Sequence, residues 1–354
     1  MPASDLTQAL GEQVRAAFET ATPLRPQGGA SKQFLGRAVQ AQVLSCAGHR
    51  GITSYQPSEL VVSARSGTPL AEVEDTLAAS GQMLPFEPPH FGAGATVGGT
   101  IACGLSGPRR PYAGAARDFV LGVRLINGRG EVLRFGGEVM KNVAGFDVSR
   151  LMTGSMGTLA VLLEVSMKVL PRPQVEATLA FEHTPAQAVR LFNDWAGQPL
   201  PLSAACHLQG RSYVRLSGST PGVGSAAAHL GGERVPAHEV PWTDLREQRL
   251  APLHGGLPLW RLSVPATTPP LALPGECVID WGGALRWLRS DVDPGAVRSV
   301  VAASGGHATL FRGADAGAEV FHPLPPALLR LHQRIKSAFD PRGILNPGAM
   351  YADI

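Results

Sequence analysis

The spacing of hydrophobic positions predicts three helices that frame the chain. The first has one apolar face with a period near 3.6 residues, made by Leu6, Ala9, Leu10, Val14, Ala17 and Phe18. The second is predicted after Thr68 as N-cap with Pro69 at the first helical position, and it turns inward Leu70, Val73 and Leu77. The last ends before Asp340 and Pro341 and carries on one face Leu328, Leu331, Ile335 and Phe339.

Short β-branched and alternating runs predict strands between these helices. AQVLS and ELVVSA lie in the first third, and 118–137 forms a hairpin in which Asn127 and Gly128 predict a two-residue type I′ turn. In the later half, RSYVRLSG, PLWRLSV and GECVIDWG alternate with helical patterns at 185–195 and 241–250. This alternation predicts an α/β sandwich with an antiparallel sheet.

Length predicts two domains, because 354 residues exceed one typical core of about 150 residues. The PRP sequence ending at Pro173 marks the boundary, since shorter and more polar segments follow it. We therefore expect a first domain at 1–173, a second domain at 174–325, and a C-terminal helix and tail at 326–354 that return to the first domain.

Charge and cysteine content exclude several classes of function. The net charge of +3 comes without a basic run, which argues against a nucleic-acid partner. The four cysteines are far apart, so the sequence offers no CxxC motif for a metal or iron-sulfur cluster. The chain starts without a signal-peptide pattern, and its longest apolar run, 159–163, is much shorter than the roughly 20 residues of a transmembrane span. We expect a cytoplasmic protein without a transmembrane segment.

Two glycine-rich segments are the candidate chemistry. PQGGASK at 26–32 lies at a turn whose backbone N–H groups can form an anion-binding concavity, although a plain surface turn gives the same pattern. The segment 92–107 fails the Rossmann test because Val97 occupies the third glycine position of GxGxxG. Its bare surface fits either a flat ligand or a neighbouring strand. A third small-residue turn, GSMGT, follows at 154–158.

In combination, these segments resemble a known family. GGASK, ATVGGTIACGLSG, the run at 141–173 and the closing DPRGILNPG resemble the FAD-binding domain of the vanillyl-alcohol oxidase type (PCMH superfamily). Over its whole length the chain is similar to the FAD-binding subunits of bacterial glycolate oxidase, also called glycolate dehydrogenase. The most specific segments are 107–122, 136–147 and 280–290.

The resemblance implies an α+β fold: a PCMH-type FAD-binding domain of two α+β subdomains, closed by a smaller α/β cap domain with an antiparallel sheet. It implies that backbone amides of the first loop wrap the FAD pyrophosphate, with added charge from Lys32, at Gln27, Gly28, Gly29, Ala30 and Ser31. It implies a second strip along the ribityl chain and ring edge, made of Thr96, Val97, Gly98, Gly99, Thr100, Ala102 and Gly104.

Further cofactor contacts are implied for single residues. Ser106 is expected to hydrogen-bond the flavin, and Asn346 to reach the flavin region. Gly114 and Asp118 match the adenosine end, and Val165 matches the strand whose backbone meets the adenine. Many relatives attach FAD to a histidine in the first loop, but GGASK has none, so we expect a dissociable cofactor. The metal-binding HxxGDGNxH segment of catalytic relatives is reduced to GGHATLFRGAD, and we predict no metal site.

Oxidation of a 2-hydroxyacid needs a cation for the carboxylate and a base for the hydroxyl proton. Arg286 is the first choice among the arginines, although a cation–π or ion-pair role fits it equally. His307 and His90 are candidate bases; the alternatives are a hydrogen-bonded core histidine and a turn cap. Lys141 and Asn142 are candidates for the substrate side.

These expectations define the function. Without a cluster on this chain, electrons leave the flavin for oxygen, a quinone or another subunit. The resemblance implies the flavin redox subunit of a glycolate-oxidising complex, with a related catalytic flavoprotein, an iron-sulfur subunit and a small 2-hydroxyacid substrate. Such a complex would lie in the cytoplasm or at the inner face of the membrane. The alternatives are a non-catalytic scaffold of that complex and a self-sufficient oxidase of another 2-hydroxyacid.

Overall fold

The computed structural model describes residues 4–137, 147–313 and 318–354. Its helices, several preceded by proline, are α1 (Thr7–Thr20), α2 (Leu70–Ala79), α3 (Val97–Cys103), α4 (Arg110–Ala113), α5 (Ala116–Phe119), α6 (Val148–Met152), α7 (Pro185–Ala196), α8 (Thr220–Leu230), α9 (Trp242–Arg246), α10 (Pro294–Ala303) and α11 (Pro326–Phe339).

The strands fall into two groups along the chain. Those before residue 173 are β1 (Leu24–Gln27), β2 (Gln42–Ser45), β3 (Ile52–Gln56), β4 (Val61–Arg65), β5 (Gln82–Met83), β6 (Val120–Ile126), β7 (Val132–Gly136), β8 (Val161–Lys168) and β9 (Leu170–Pro171). Those after it are β10 (Val175–Glu182), β11 (Leu202–Leu208), β12 (Arg211–Gly218), β13 (Glu233–Arg234), β14 (Leu259–Ser263), β15 (Glu276–Asp280), β16 (Leu285–Arg289) and β17 (His307–Arg312).

The first group builds two small α+β units. In one, β1 and β2 pair in parallel and pack under α1, and the tail joins them because Leu345 bridges to Leu24. In the other, five strands form an antiparallel sheet in the order β3-β4-β8-β6-β7, with its apolar face covered by α2 and α3. The α+β class predicted for this part is confirmed.

The second group forms one eight-stranded antiparallel sheet in the order β13-β10-β12-β11-β15-β16-β14-β17. We call this sheet and its helices the cap. Alternation along β16 sends Leu285 and Trp287 to one face, where they pack with Leu35 of the first unit. It sends Leu288 to the opposite face, where the side chains of α10 cover it. Both faces are therefore buried, and the predicted boundary at residue 173 falls between β9 and β10.

Two local predictions were wrong. Thr68 does not cap α2, because its hydroxyl exchanges hydrogen bonds with the backbone of Gly51 and the N-cap position falls to Pro69. The hairpin after β6 is not a two-residue turn, since five residues, 127–131, separate its strands and the left-handed position is taken by Gly130 (φ 77°). Asn127 instead accepts two backbone N–H groups of that loop. The helix expected at 241–250 is restricted to α9.

A buried charge cluster joins the cap to the first domain. Glu87, in the loop after β5, accepts hydrogen bonds from Arg109 and from Arg215 of β12, at 3.1 and 2.8 Å. Both arginines also face Glu176 of β10. Burial alone would raise the pKa of Glu176, but Arg215 and Arg109 hold it below the ordinary value. Each charge is therefore compensated across the junction.

The C-terminal helix is fixed by a second buried ion pair. Lys336 of α11 donates to the Asp340 carboxylate at 2.8 Å and to the carbonyls of Thr158 and Leu345, each at 2.7 Å. Asp340 also accepts from the backbone N–H groups of Ile344 and Leu345. One lysine thus ties α11, the tail and the 154–158 turn together.

Replacing this lysine with an apolar residue of similar length should destabilise the whole chain. In Lys336→Met the Asp340 carboxylate stays buried without its cation, so we expect the free energy of unfolding to fall by about 3–5 kcal/mol. Urea denaturation measures the change, with Lys168→Met on the partly exposed end of β8 as the matched control. Equal midpoints for the two variants would contradict this role.

Candidate functional site

A cleft in the first domain is formed where the three small-residue segments meet. It has a volume of about 190 Å³ and opens to solvent. Its walls come from the loop after β1, the start of α3, the turn leading into β8, and the tail. In that order, these segments contribute residues 25–33, 35 and 37–39, then 96, 98, 99, 102 and 103, then 155–157 and 160–162, then 346 and 349. Cys46 and Ser66 complete the lining.

Glycine lets the first two segments touch through their backbones. A Cβ on Gly29 would lie 1.5 Å from the carbonyl oxygen of Gly94, and one on Gly28 would lie 2.2 Å from the hydroxyl oxygen of Thr96. Neither position has room for any side chain. The close approach brings the 26–32 loop directly against the 92–99 segment, so the two predicted loops converge.

The second segment is not an extended strip throughout, because residues 97–103 form the short helix α3. Thr96 is the N-cap and its hydroxyl accepts from the Gly99 N–H. Gly98 allows the helix to pack on the backbone of Ser66, since a Cβ there would lie 2.6 Å from the Ser66 Cβ. This helix was not predicted, because three glycines within 94–99 weaken the helical propensity of the segment.

The tail closes the cleft against the third segment. Asn346 donates from Nδ2 to the Met156 carbonyl at 2.6 Å, and Met156 N–H donates to the Ala102 carbonyl at 2.8 Å. Both Met156 (φ 52°) and Asn346 (φ 43°) hold left-handed backbone conformations that disfavour ordinary side chains. α3, the 154–158 turn and the tail are thus linked by consecutive hydrogen bonds.

Unpaired polar groups line this cleft. Within the described chain, the backbone N–H groups of residues 28–31 donate to no protein acceptor. The Ser66 hydroxyl and the Asn346 Oδ1 are buried without a hydrogen-bond partner in that same part of the chain. Buried polar groups are normally satisfied, so the Ser66 and Asn346 atoms point to a bound polar ligand, and the partly exposed N–H groups of the loop open onto the same space. Their arrangement around a bare backbone surface fits an extended dinucleotide such as FAD.

Lys32 adds a positive charge to the cleft wall. The residue is 7% exposed, and its ammonium donates to the His90 carbonyl at 3.3 Å. Among the described residues it forms no ion pair with a carboxylate. Burial lowers its pKa, against the weaker opposing effects of Cys103 and Glu247. An anionic group in the cleft would offset that burial.

The structure brings most of the predicted cofactor residues together. Gln27, Gly28, Gly29, Ala30, Ser31 and Lys32 line the cleft, as do Thr96, Gly98, Gly99, Ala102 and Asn346. Three further residues of the α3 region lie behind this wall, and they are Val97, Thr100 and Gly104. Ser66, Arg25 and the 155–157 turn also line it but were not predicted. A signal for Ser66 exists, since SGTP follows a strand and precedes a helix.

Four predicted contact residues lie outside the lining. The Ser106 hydroxyl accepts the Ala116 N–H, and the Asp118 carboxylate accepts the Ala115 N–H, so both serve the turn before α5. Gly114 supplies the positive φ of 120° in that turn. Val165 is fully buried in β8, beyond the strand's first residues that reach the cleft. Their predicted contacts with the adenosine and flavin ends therefore stay predictions.

Arg286, the residue predicted to bind the substrate carboxylate, lies on the face of the cap sheet that points away from the first domain. Arg286 alternates with Trp287 on β16, so its side chain shares the α10 face with Leu288 and lines a separate cavity. That cavity and the cleft have no lining residue in common. The alternation that buries Trp287 toward the first domain excludes Arg286 from that side, and its catalytic role stays a prediction.

The two candidate bases are also away from the cleft lining. The His90 imidazole pairs with Glu74 at 2.8 Å. His307 is exposed at the start of β17, and its pKa is lowered by desolvation and by the charges of Arg261, His322 and Arg110. Lys141 and Asn142 lie outside the described residues. Asp147 pairs locally with Arg150 at 3.0 Å.

The described residues offer neither a metal-binding cluster nor a membrane-spanning helix. In residues 4–137, 147–313 and 318–354, no group of three or more metal-ligating side chains clusters. Among the helices described above, none combines the length and apolar character that a membrane span requires.

Comparison with known proteins decides the family. The chain is 51% identical over 350 residues to glycolate oxidase subunit GlcE of Escherichia coli, covering 99% of both chains. It belongs to the GlcE family. The family model described as FAD binding domain matches residues 6–136, and the C-terminal domain of FAD linked oxidases matches residues 313–350. The first match contains the 26–32 loop and α3, and the second contains the tail that closes the cleft.

More distant relatives share only part of the chain. Glycolate oxidase subunit GlcD of Bacillus subtilis is 29% identical over 152 residues, which are 42% of this chain and 32% of GlcD.

Among solved structures, alkyldihydroxyacetonephosphate synthase superposes with a TM-score of 0.66 at 14% identity, covering 96% of this chain and 75% of the synthase. The superposition confirms the predicted PCMH-type fold.

A single methyl group at the loop contact should disrupt cofactor retention. In Gly29→Ala the added Cβ overlaps the Gly94 carbonyl, so the loops must separate, and we expect a loss of about 1–3 kcal/mol in stability and a lower ratio of flavin to protein. Gly224→Ala is the control, because its Cβ meets nothing within 4 Å in α8. The ratio is read from flavin absorbance after desalting; equal ratios in the two variants would contradict the contact.

Proposed function

We propose that this chain is an FAD-binding redox subunit of a glycolate oxidase complex that converts glycolate to glyoxylate. The single observation that carries the proposal is the cleft with unpaired polar groups, within a chain that matches subunit GlcE along nearly its whole length. When bound, FAD supplies the two-electron redox chemistry of the reaction. The protein's part is to bind and orient the cofactor.

Named residues account for that binding. The N–H groups of Gly28, Gly29 and Ala30 form the anion-binding concavity that suits a pyrophosphate, and Lys32 adds charge. Ser66 and Asn346 offer side-chain hydrogen bonds to polar cofactor atoms. Among the described residues, no histidine or tyrosine lines the cleft, and burial raises the pKa of the lining thiols of Cys46 and Cys103 to about 11. This set supports a dissociable FAD.

The cap side of the cleft favours electron transfer over substrate oxidation by this chain. Phe34, Phe91, Phe311 and Trp287 stack edge to face with ring centroids 4.9–6.2 Å apart, next to Leu35 of the cleft wall. These side chains occupy the space between the cleft and the cap sheet. With Arg286 on the far face, that side lacks the predicted cation for a hydroxyacid carboxylate.

Partners follow from this division of labour. A related flavoprotein subunit would oxidise the 2-hydroxyacid, and an iron-sulfur subunit would accept electrons that this chain cannot pass to a cluster of its own. Isolated material would then depend on partners for turnover. We place the complex in the cytoplasm or, through its partners, at the inner face of the membrane.

Reduction of the bound flavin separates the proposed role from its alternatives. We expect the purified chain to show flavin absorbance that glycolate alone leaves unchanged, and that bleaches when glycolate and the co-purified partner subunits are added. Anaerobic absorbance spectra measure this. Bleaching by glycolate without partners would assign substrate oxidation to this chain. Absence of flavin bands after reconstitution with FAD would indicate a non-catalytic scaffold. Bleaching by another hydroxyacid without partners would indicate a self-sufficient oxidase.

The buried lysine gives the cofactor affinity a defined pH dependence. Lys32→Met removes a buried cation from the cleft wall, so we expect FAD affinity to fall about 10- to 100-fold. An anionic ligand favours the ammonium form, so wild-type affinity should fall as the pH rises through the lowered pKa of Lys32. Flavin fluorescence titrations in the alkaline range measure both, with Lys168→Met as control. A Lys32→Met profile that parallels the wild type would contradict the assignment.

A further inference from the structure

The cap contains a second cavity that the proposed function does not use. It measures about 340 Å³ and lies on the α10 face of the sheet, under the proline-rich segment 270–277. Its floor is one cross-strand row, because the register pairs His207 with Ile279, Ile279 with Arg286, and Arg286 with Leu262. All four side chains line the cavity. Four strands thus present one continuous surface to it.

Arg286 is buried in this cavity without a counter-charge. The residue is 1% exposed, and within the described chain its side chain makes one hydrogen bond, from Nη2 to the Thr268 carbonyl at 2.8 Å. Its Nε and Nη1 are buried and have no hydrogen-bond partner in the described chain. The carboxylate among the lining residues is Glu276, which is exposed and does not pair with Arg286. An arginine held in this way normally requires an acid partner.

Other buried cations of this chain show that contrast. Arg215 has Glu87 and Glu176, and Lys336 has Asp340. Arg289, one residue beyond Leu288 on β16, donates to three backbone carbonyls. Among these cations, Arg286 alone has two guanidinium nitrogens, Nε and Nη1, without a hydrogen-bond partner in the described chain. His207 adds no negative charge, because an imidazole is either neutral or cationic. Its Nδ1 lies 3.2 Å from the Ser212 hydroxyl.

The chemistry of the walls narrows the ligand. Nε and Nη1 lie on opposite sides of the guanidinium, so one carboxylate would bridge either of them and the second N–H of Nη2. Leu271 and Leu273 cover the cavity and Leu262 and Leu288 line its floor, so the rest of the ligand must be apolar. A free phosphate would leave that apolar surface unfilled, and a neutral hydrocarbon would leave the guanidinium unpaired.

We propose that this cavity of the cap binds a small monocarboxylate with an apolar chain, with its carboxylate on Arg286 and its chain against Leu262, Leu271, Leu273 and Leu288. The site lies on the sheet face opposite the packing against Leu35. It is therefore independent of the FAD cleft and of the proposed redox role. Occupancy would neutralise a buried charge and stabilise the cap.

Hexanoate is a suitable probe, with hexan-1-ol and inorganic phosphate as matched partial mimics. We expect hexanoate to raise the midpoint of thermal unfolding and to give a saturable binding isotherm by calorimetry. Neither mimic should do so at the same concentration. The holoenzyme with FAD is used throughout, so that loss of the flavin is not mistaken for a cap effect.

Arg286→Met tests the contact. We expect it to weaken hexanoate binding at least about tenfold, the loss of a charged hydrogen-bonding partner. Because it removes an uncompensated buried charge, the ligand-free variant should unfold at the same or a higher temperature than the wild type, whereas a structural arginine would give a lower one. Arg261→Met is the matched control, since Arg261 precedes Leu262 on β14 and points to the other sheet face, over Trp281.

The outcomes divide cleanly. Binding of hexanoate to wild type and Arg261→Met but not to Arg286→Met supports the site. Absence of hexanoate binding to the wild type, equal stabilisation by hexan-1-ol, binding of phosphate in place of hexanoate, or unchanged binding to Arg286→Met would each overturn it. Retained flavin absorbance and a single thermal transition show that each variant is folded.

Discussion

The cleft depends on backbone contact between two loops that only glycine permits. Gly28 and Gly29 on one side meet Thr96 and Gly94 on the other at distances that leave no volume for a methyl group. Because the loops touch, their N–H groups remain pointed into one hollow and α3 begins at its wall. The turn at 154–158 and the tail then complete the enclosure through Met156 and Asn346. The other contacts of the site are arranged around that close approach.

The parts of the structure that sequence could predict are those governed by composition and periodicity. The spacing of apolar residues predicts α1, α7 and α11. The glycine-rich segments at 26–32 and 92–107 indicated the loops that line the cleft. The α3 helix was missed because its glycines weaken the helical pattern, and the roles expected of Arg286, His90 and His307 rested on residue type alone. Which sheet face Arg286 occupies depends on the register of β16 against β14 and β15. That register is a tertiary property that no local motif encodes.

Two groups among the buried charges described above have different meanings. Glu87, Arg215, Lys336 and Asp340 are satisfied by one another and hold elements in place. Lys32 and Arg286 are buried without a carboxylate, each beside a cavity. A paired buried charge specifies packing, whereas an unpaired one indicates a ligand that the protein does not itself supply. This distinction, rather than residue type, separates structural from binding cations here.

The placement of the tail has a consequence for biosynthesis. The cleft combines residues 25–39 with residues 346 and 349, and the whole cap is translated between these two segments. A nascent chain therefore emerges from the ribosome with its first loop exposed long before Asn346 and Lys336 exist to close the wall. Asn346 can therefore close the cleft wall only after the whole cap has been synthesised.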